Sequence, residues 1–233
     1  IGTGLVGSEM CIRDRVVWFL TTNEGKVAEA RAHLSPLGYQ VEQLSIQDDE
    51  IIEPQADDLY SVAKQKLAQA GKHLPSNFGI GDILLVEDAG LFIDALDGFP
   101  GVYSSYVHST IGLDGILRLL AHLEPVDPVK SAKLRSAHFM AVCAALVGDE
   151  ILIGSGKCLG HISQESVEGN GFGYDPIFIP YDLDSGKETL SAGEYGEYST
   201  HGAPFGGVSG EIKLIFSHRT KALIDLFNQF PSA

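Results

Sequence analysis

Three acidic side chains stand in positions where proteins commonly bind hard metal cations. Residues 83–86 are four consecutive aliphatic residues, which predict a buried strand that ends at residue 86. Glu87 and Asp88 follow this strand directly, and Glu53 lies in an acidic loop. Carboxylate oxygens are preferred ligands of Mg²⁺, so these residues are candidates for a metal site. Solvated surface charge is the alternative, and the acidic composition favours it for Glu53 taken alone.

Two cationic segments occupy the first turns of predicted helices. Lys26 follows Asn23, and His218 and Arg219 follow Ser217. A cation at a helix N-terminus opposes the helix dipole at a cost of about 0.3–1 kcal/mol, whereas an anion is bound favourably there. For a single lysine in such a position, exposure to solvent is as good an explanation as anion binding. Two such segments in one chain favour an anion-binding site.

A glycine-rich stretch at residues 169–176 predicts a shaped loop rather than a helix or a strand. Phe172 and Tyr174 flank Gly173 and could form a platform for a base or ring, with Asp175 as an acceptor for ring N–H groups. A tight turn buried by its aromatic residues is the alternative. The chain has no GxxxxGK[ST] sequence, which excludes a P-loop NTPase.

Composition and the remaining motifs exclude several other classes of function. A net charge of −15 disfavours binding to polymeric DNA or RNA, and no run of about 18 apolar residues predicts a membrane-spanning helix. The histidines include no HExxH, the serines include no GxSxG, and Cys143 and Cys158 lie in apolar segments where thiols are usually inert. Three cysteines without a CxxC pair fit a reducing compartment, so we expect a cytoplasmic protein.

Apolar periodicity predicts the elements that must position these residues. The predicted strands are residues 16–20, 40–46, 83–86 and a hairpin of 134–147 and 151–159 that turns at 148–150. The predicted helices are about 27–37, capped by Thr22 or Asn23 and stopped by Gly38, then 57–73, 113–123 and 217–230. Residues 181–210 predict a long loop. This order favours a mixed α/β fold with a long central sheet.

Residues 1–15 have the composition of neither a signal peptide nor a binding element. Gly2, Gly4 and Gly7 spell GxGxxG, but no strand precedes them, so the dinucleotide fingerprint lacks its structural context. We expect residues 1–15 to be a non-native or disordered leader and residues 16–233 to form a single domain.

Four motifs in register cover almost the whole chain from residue 16. They are Thr21-Thr22-Asn23-Glu24-Gly25-Lys26, Glu87-Asp88-Ala89-Gly90-Leu91 with Asp97-Gly98-Phe99-Pro100-Gly101-Val102-Tyr103-Ser104, Gly171-Phe172-Gly173-Tyr174-Asp175-Pro176-Ile177-Phe178, and Ser217-His218-Arg219. In order and spacing they resemble the inosine triphosphate pyrophosphatase family, the Ham1-like enzymes that act on non-canonical purine nucleoside triphosphates. The resemblance implies an elongated, two-lobed α/β fold, in which helices flank a long central mixed β-sheet and a nucleotide cleft lies between the lobes.

The resemblance also implies an activity and a set of site residues. Such enzymes use Mg²⁺ to hydrolyse ITP, dITP and XTP to the monophosphate and pyrophosphate, which cleanses the nucleotide pool, and they are usually homodimers. By this resemblance Thr21, Thr22, Asn23, Glu24, Gly25, Lys26 and Lys213 would hold the triphosphate, and Glu53, Glu87 and Asp88 would hold the metal. Asp88 would also be the catalytic base. Ala89 would lie beside the substrate, and Phe172, Gly173, Tyr174, Asp175, His218 and Arg219 would form the base pocket.

The chain departs from the family pattern at three places. Ala89 stands where Ser or Thr is common, Ser105 and Tyr106 stand where an arginine often follows, and the connection from residue 180 to Lys213 is long, which makes Lys187 a rival of Lys213. Two other functions therefore stay open at this point. One is a Maf-type pyrophosphatase for modified pyrimidine nucleotides, and the other is a catalytically weak nucleotide-binding protein.

Overall fold

The computed structural model describes residues 15–46, 52, 54–169 and 172–230. In these ranges the strands are β1 Val16–Leu20, β2 Gln40–Leu44, β3 Ile83–Ile93, β4 Ser136–Val147, β5 Glu150–Ile162 and β6 Phe178–Pro180. They form one six-stranded sheet in the order β2-β1-β3-β4-β5-β6. The strands β2, β1 and β3 are parallel, whereas β3, β4, β5 and β6 pair in antiparallel fashion.

Helices cover both faces of this sheet. The α-helices of the described ranges are α1 Glu24–Leu34, α2 Leu59–Ala70, α3 Ser104–Thr110, α4 Gly112–Leu119, α5 Pro128–Leu134, α6 Gly210–Phe216 and α7 His218–Phe227. None of them is long and apolar enough to cross a membrane. The prediction of a mixed α/β fold with a long central sheet flanked by helices is confirmed.

Strand β3 shows why four aliphatic residues occur in a row. Ile83 and Leu85 pack in a buried cluster with apolar residues of α1 and α7. Leu84 and Val86 point to the opposite face and pack in a second cluster with residues of α2. Both faces of the strand are therefore covered, as the apolar run predicts. A third buried cluster surrounds the far half of β3.

The prediction that this strand ends at Val86 is wrong. The strand continues to Ile93, because β4 pairs with it along its whole length, from Ile83 opposite Val147 to Ile93 opposite Ala137. What ends at this point is the parallel partner: the last pair between β1 and β3 joins Leu20 to Val86. The two carboxylates therefore lie inside a strand, at the place where one of its two neighbours stops.

The ends of the first helix follow local chemistry. Asn23 is its N-cap, and the side-chain oxygen of Asn23 accepts hydrogen bonds from the Gly25 and Lys26 amides at 2.9 and 3.3 Å. A short 3₁₀ turn extends the helix to Leu37, and Gly38 follows with a positive φ of 91°. The cap and the stop predicted for this helix are both confirmed.

Other element predictions hold with shifted bounds. The hairpin turns at Gly148, as predicted, but β5 extends three residues beyond the predicted end. The periodicity did not predict α3, α5 and α6, which have seven residues each and are too short to show a helical repeat. The long loop predicted at 181–210 is confirmed in that only isolated bridges and one 3₁₀ turn occur before α6.

Residues 1–14 of the predicted leader lie outside the described residues, as do Glu53 and Gly171. Arg15, the last residue of that predicted leader, already takes part in the fold. Its carbonyl oxygen accepts a hydrogen bond of 3.1 Å from the Gln40 amide and so continues the pairing of β1 with β2.

Candidate active site

A cavity of about 1040 Å³ opens where β1 ends and β3 continues. The turn after β1, the middle of β3, and residues of α2, α3, α6 and α7 line it, together with the loop at 172–175. Because β1 ends at Leu20, β3 has no neighbouring strand on that edge from Glu87 onwards. Ligands bind in such crevices at the carboxyl ends of parallel strands.

The cavity brings together most of the predicted site residues. Those that line it are Thr21, Thr22, Asn23, Lys26, Glu87, Asp88, Ala89, Phe172, Gly173, Tyr174, Asp175, Lys213, His218 and Arg219. In the described part of the chain, Glu24 and Gly25 are not among the lining residues, although Gly25 lies beside the Phe172 ring. Of the rival lysines, Lys213 lines the cavity, whereas Lys187 lies over the Tyr198 ring at 5.7 Å.

Glu87 is the centre of a buried ionic cluster on the face of β3 that carries α1 and α7. Its carboxylate lies 2.8 Å from Lys26 Nζ and 3.3 Å from Arg219 Nε. Arg219 also donates a hydrogen bond of 2.7 Å to Glu29 of α1. Burial raises the pKa of Glu87, but the charges of Arg219 and Lys26 outweigh burial and lower this pKa to about 2. Glu87 is therefore a permanent anion.

Asp88 points to the opposite face of β3, where α2 supplies a cation. Lys66 of α2 donates a hydrogen bond of 2.8 Å to its carboxylate. Burial raises the pKa of Asp88 above its usual value, and the charge of Lys66 compensates only in part. A buried carboxylate with a raised pKa, set in a cavity wall, is suited to accept a proton.

The loop at 172–175 forms the other end of the cavity. Asp175 accepts hydrogen bonds from the Phe172 amide at 3.0 Å and from Lys213 Nζ at 2.6 Å. Lys213 Nζ lies 4.5 Å from the centre of the Phe172 ring, a cation–π contact. The hydroxyl of Tyr174 donates a hydrogen bond to the Ser104 carbonyl, and burial raises the pKa of Tyr174 to about 12. The loop is thus fixed by polar contacts while one aromatic ring faces the cavity.

His218 contributes a neutral ring to this end. Its imidazole stacks on the Phe139 ring, with 5.0 Å between the centroids and 13° between the planes. Burial and the neighbouring Arg219 charge lower the pKa of His218 well below its usual value. Its buried Nδ1 atom has no hydrogen-bond partner among the described residues, so a polar group of a bound ligand could supply one.

The residues that sequence reasoning missed are the ionic partners. Lys66 lies on the buried face of α2, three residues after Ala63 and four after Val62. A lysine on a buried helix face indicates an anionic partner, and this was the signal in the sequence that could have identified Lys66. Glu29 lies three residues after Lys26 in α1, and no local pattern marks it as the partner of Arg219. His108 of α3 also lines the cavity, in a helix that was not predicted.

A divalent cation fits the donors of this cavity in part. Asp88 supplies carboxylate oxygens of the kind that Mg²⁺ prefers, whereas both oxygens of Glu87 already face Lys26 and Arg219. Among the residues that the structure describes, no group of three or more His, Cys, Asp or Glu side chains is arranged to hold a metal ion. Glu53, the other predicted ligand, is outside those residues.

The fold and the cavity define a class of protein. It is an α/β protein whose mixed sheet presents, at its change from parallel to antiparallel pairing, a cleft lined by paired cations and carboxylates. One wall of this cleft holds a buried carboxylate with a raised pKa, and the other end holds an aromatic and basic pocket. A cleft with these features suits a phosphorylated ligand that carries a ring.

The Ham1 family model matches residues 17–229, so this chain belongs to the Ham1 family. A protein of Thermococcus kodakarensis is 40% identical over 210 residues, which cover 90% of this chain and 94% of the relative. One of Pyrobaculum aerophilum is 37% identical over 206 residues, which cover 88% and 91%. Both relatives are named dITP/XTP pyrophosphatase. The resemblance found in the sequence is therefore confirmed.

Solved structures of the same family share the fold. The Ham1 protein of Staphylococcus aureus superimposes with a TM-score of 0.64 at 24% identity, covering 92% of this chain and 98% of that one. A HAM1 protein from Coxiella burnetii gives 0.63 at 25% identity, covering 92% and 97%.

Proposed function

We propose that this protein is a hydrolase that converts dITP, XTP and ITP to the nucleoside monophosphate and pyrophosphate. The observation that carries the proposal is one cavity that is lined by Asp88, whose pKa is raised, by the cations Lys26 and Lys213, and by Phe172, His218 and Arg219. Membership of the Ham1 family and relatives named dITP/XTP pyrophosphatase support it.

The phosphate end of the substrate would meet the turn between β1 and α1. Lys26 lies in the first turn of α1, and Thr21, Thr22 and Asn23 of the preceding turn line the same cavity. In the free protein Lys26 and Lys66 are neutralised by Glu87 and Asp88. A triphosphate would compete for both lysines, and such charge-assisted contacts are the strong ones.

Hydrolysis then needs a nucleophile and a base. We propose that Asp88 accepts a proton from a water molecule as the oxygen of that water adds to the α phosphorus. The bond from the α phosphorus to the α–β bridging oxygen breaks, and pyrophosphate leaves with that oxygen. We propose that Asp88 and Glu53 also hold Mg²⁺, which would withdraw charge from the phosphate oxygens. Glu87 instead holds Lys26 and Arg219 in place.

The base would lie against Phe172, near His218 and Arg219. The Arg219 guanidinium carries only donors, so it can bond the 6-oxo group of hypoxanthine or xanthine. The 6-amino group of adenine would meet it donor to donor, which disfavours ATP. This arrangement explains why a pool-cleansing enzyme would spare the canonical adenine nucleotide.

Product analysis tests the proposal. We expect the purified protein with Mg²⁺ to convert XTP to equal amounts of XMP and pyrophosphate, without orthophosphate, as measured by ion chromatography. Faster conversion of a modified pyrimidine nucleotide would favour the Maf-type alternative. Binding of XTP without products would favour the catalytically weak nucleotide-binding protein, and either result would contradict the proposal.

We also propose that the protein acts in the cytoplasm as a homodimer. Cross-strand neighbours Phe92, His138 and Leu159 form a row on one face of β3, β4 and β5, where Phe92 and His138 stack at 5.1 Å and Leu159 is exposed. Such an apolar row suits contact with a second copy. Light scattering on the full chain should give twice the 25.0 kDa chain mass, and 25.0 kDa would contradict the proposal.

A further inference from the structure

Helix α7 lies directly on two glycines of strand β5. A Cβ atom added to Gly156 would overlap the His218 carbonyl oxygen and stand 2.5 Å from the Ala222 amide nitrogen. One added to Gly154 would stand 2.6 Å from the Cβ atom of Leu226. Real Cβ atoms essentially never come within 3.0 Å of such neighbours, so the helix rests on bare backbone at both positions.

The two glycines support adjacent turns of α7: both contact Ala222, but Gly156 extends the contact to His218 and Gly154 extends it to Leu226. The C-terminal end is also held by hydrogen bonds: Asp225 accepts one of 2.8 Å from the Ser155 amide, and Gln229 donates one of 2.7 Å to the Ile153 carbonyl. Gly154 lies beside these anchors. The contacts of Gly156, with His218, Lys221 and Ala222, lie about one helical turn nearer to the N-terminal end of α7 than those of Gly154, with Ala222 and Leu226.

The end of α7 above Gly156 carries the two base-pocket residues. Arg219 makes its contacts with Glu29 at 2.7 Å and with Glu87 at 3.3 Å, and His218 stacks on Phe139. An ordinary contact needs at least 3.4 Å, so a methyl group at Gly156, which would overlap the His218 carbonyl oxygen, would push this end away by about 1 Å. A displacement of that size is enough to misalign directional hydrogen bonds.

We infer that Gly156 is a positioning residue for base recognition: its bare backbone sets the distance at which α7 presents His218 and Arg219 to the cavity. Gly154 supports the same helix without this role, because it lies at the anchored end. The inference rests on the proposed function, since it assumes that the base is read by α7.

A matched pair of variants separates alignment of the site from support of the fold. Gly156→Ala and Gly154→Ala add the same methyl group under the same helix, and both should lower the melting temperature. We expect Gly156→Ala to reduce the ratio of kcat/KM for XTP to that for ATP by at least about tenfold, in keeping with misplaced hydrogen-bond donors. Gly154→Ala should keep this ratio within about threefold of the wild-type value. A ratio does not depend on the folded fraction of the preparation.

The outcomes are distinct. Equal loss of discrimination in both variants, or retention in both, would overturn the inference while leaving the proposed function intact. If Gly156→Ala does not fold, the inference is also overturned, whether or not the separate Gly154→Ala variant folds. Gly156 would then be required for the fold rather than for alignment of the site. A wild-type protein without activity on XTP would instead refute the proposed function.

Discussion

The pKa values of the two carboxylates in the cavity depend on burial and on the neighbouring cations. Burial of Asp88 outweighs the charges of Lys66 and Lys26 and raises the pKa of Asp88, whereas the charges of Arg219 and Lys26 outweigh the burial of Glu87 and lower its pKa. Two adjacent carboxylates thus shift in opposite directions. This is the pattern by which active sites separate a proton acceptor from a fixed charge.

The role of Asp88 is tested by Asp88→Asn, which keeps the shape of the side chain and removes its charge. We expect kcat for XTP to fall by more than about 10²-fold, the range for loss of a proton-transfer group, because water would lose its base. The affinity for XTP, measured by calorimetry, should be largely retained, since Lys26 and Arg219 remain. If Asp88→Asn stays active and Glu87→Gln does not, the neighbouring carboxylate is the catalyst.

The role of Glu87 is tested by the stability of Glu87→Gln as a function of pH. At pH 7 the change removes the anion shared by the buried Arg219 and the partly buried Lys26, while Arg219 keeps its hydrogen bond to Glu29. We therefore expect a loss of about 3 kcal/mol in the free energy of unfolding. The pKa of Glu87 is lowered from 4.5 to about 2 in the folded protein, so its stabilisation is present above pH 4.5 and is lost as pH falls towards 2.

Denaturant unfolding of both proteins from pH 7 to pH 2 measures this difference. The difference in the free energy of unfolding between the wild-type protein and Glu87→Gln should become smaller below pH 4.5. The exposed Glu165→Gln change is the control, and it should alter stability by less than about 0.5 kcal/mol. A difference that stays constant over this range would show that the charge of Glu87 does not stabilise the fold.

For single residues, the sequence predicts which residues belong to the site better than it predicts which residues form ion pairs with one another. The order of the motifs predicted Lys26, Asp88, Asp175 and Arg219 as site residues, and all four line the cavity. It could not predict that Lys66 neutralises Asp88, because the two residues are 22 positions apart and meet only through packing of α2 on β3.

Among the elements, the turn from β1 to α1 determines where the first cation lies. Asn23→Ala would remove the side-chain oxygen that accepts the Gly25 and Lys26 amides, and loss of such a cap costs about 1 kcal/mol. We expect that loss in denaturant unfolding, together with a higher KM for XTP, because Lys26 belongs to the capped turn. Asn23→Ser can still cap the helix, so it should keep most of the stability. Equal effects of both changes would refute capping as the cause.

The elements also show where a sequence pattern misleads. Polar residues after an aliphatic run predicted the end of a strand, but antiparallel pairing with β4 continues β3 through Glu87 and Asp88. Burial of these charges is compensated by cations from α1, α2 and α7, and no local pattern reports such distant compensation. Glu87 and Asp88 nevertheless line the cavity, because β1 ends beside them.

The molecule as a whole combines a strongly acidic chain with a cavity for an anion. A net charge of −15 repels polymeric phosphate, while Lys26, Lys66, Lys213 and Arg219 converge on one cavity. Alternation of strands and helices was enough to predict the fold class. The strand order and the place of the long excursion at 181–210 depend on packing that periodicity does not record.

The most direct test of the account is the ratio of kcat/KM for XTP to kcat/KM for ATP, measured by pyrophosphate release from the wild-type protein with Mg²⁺. If the protein hydrolyses purine nucleoside triphosphates and Arg219 binds their 6-oxo group, this ratio should be at least about 10². Arg219→Ala should lower the ratio. Equal turnover of ATP and XTP by the wild-type protein would contradict the account.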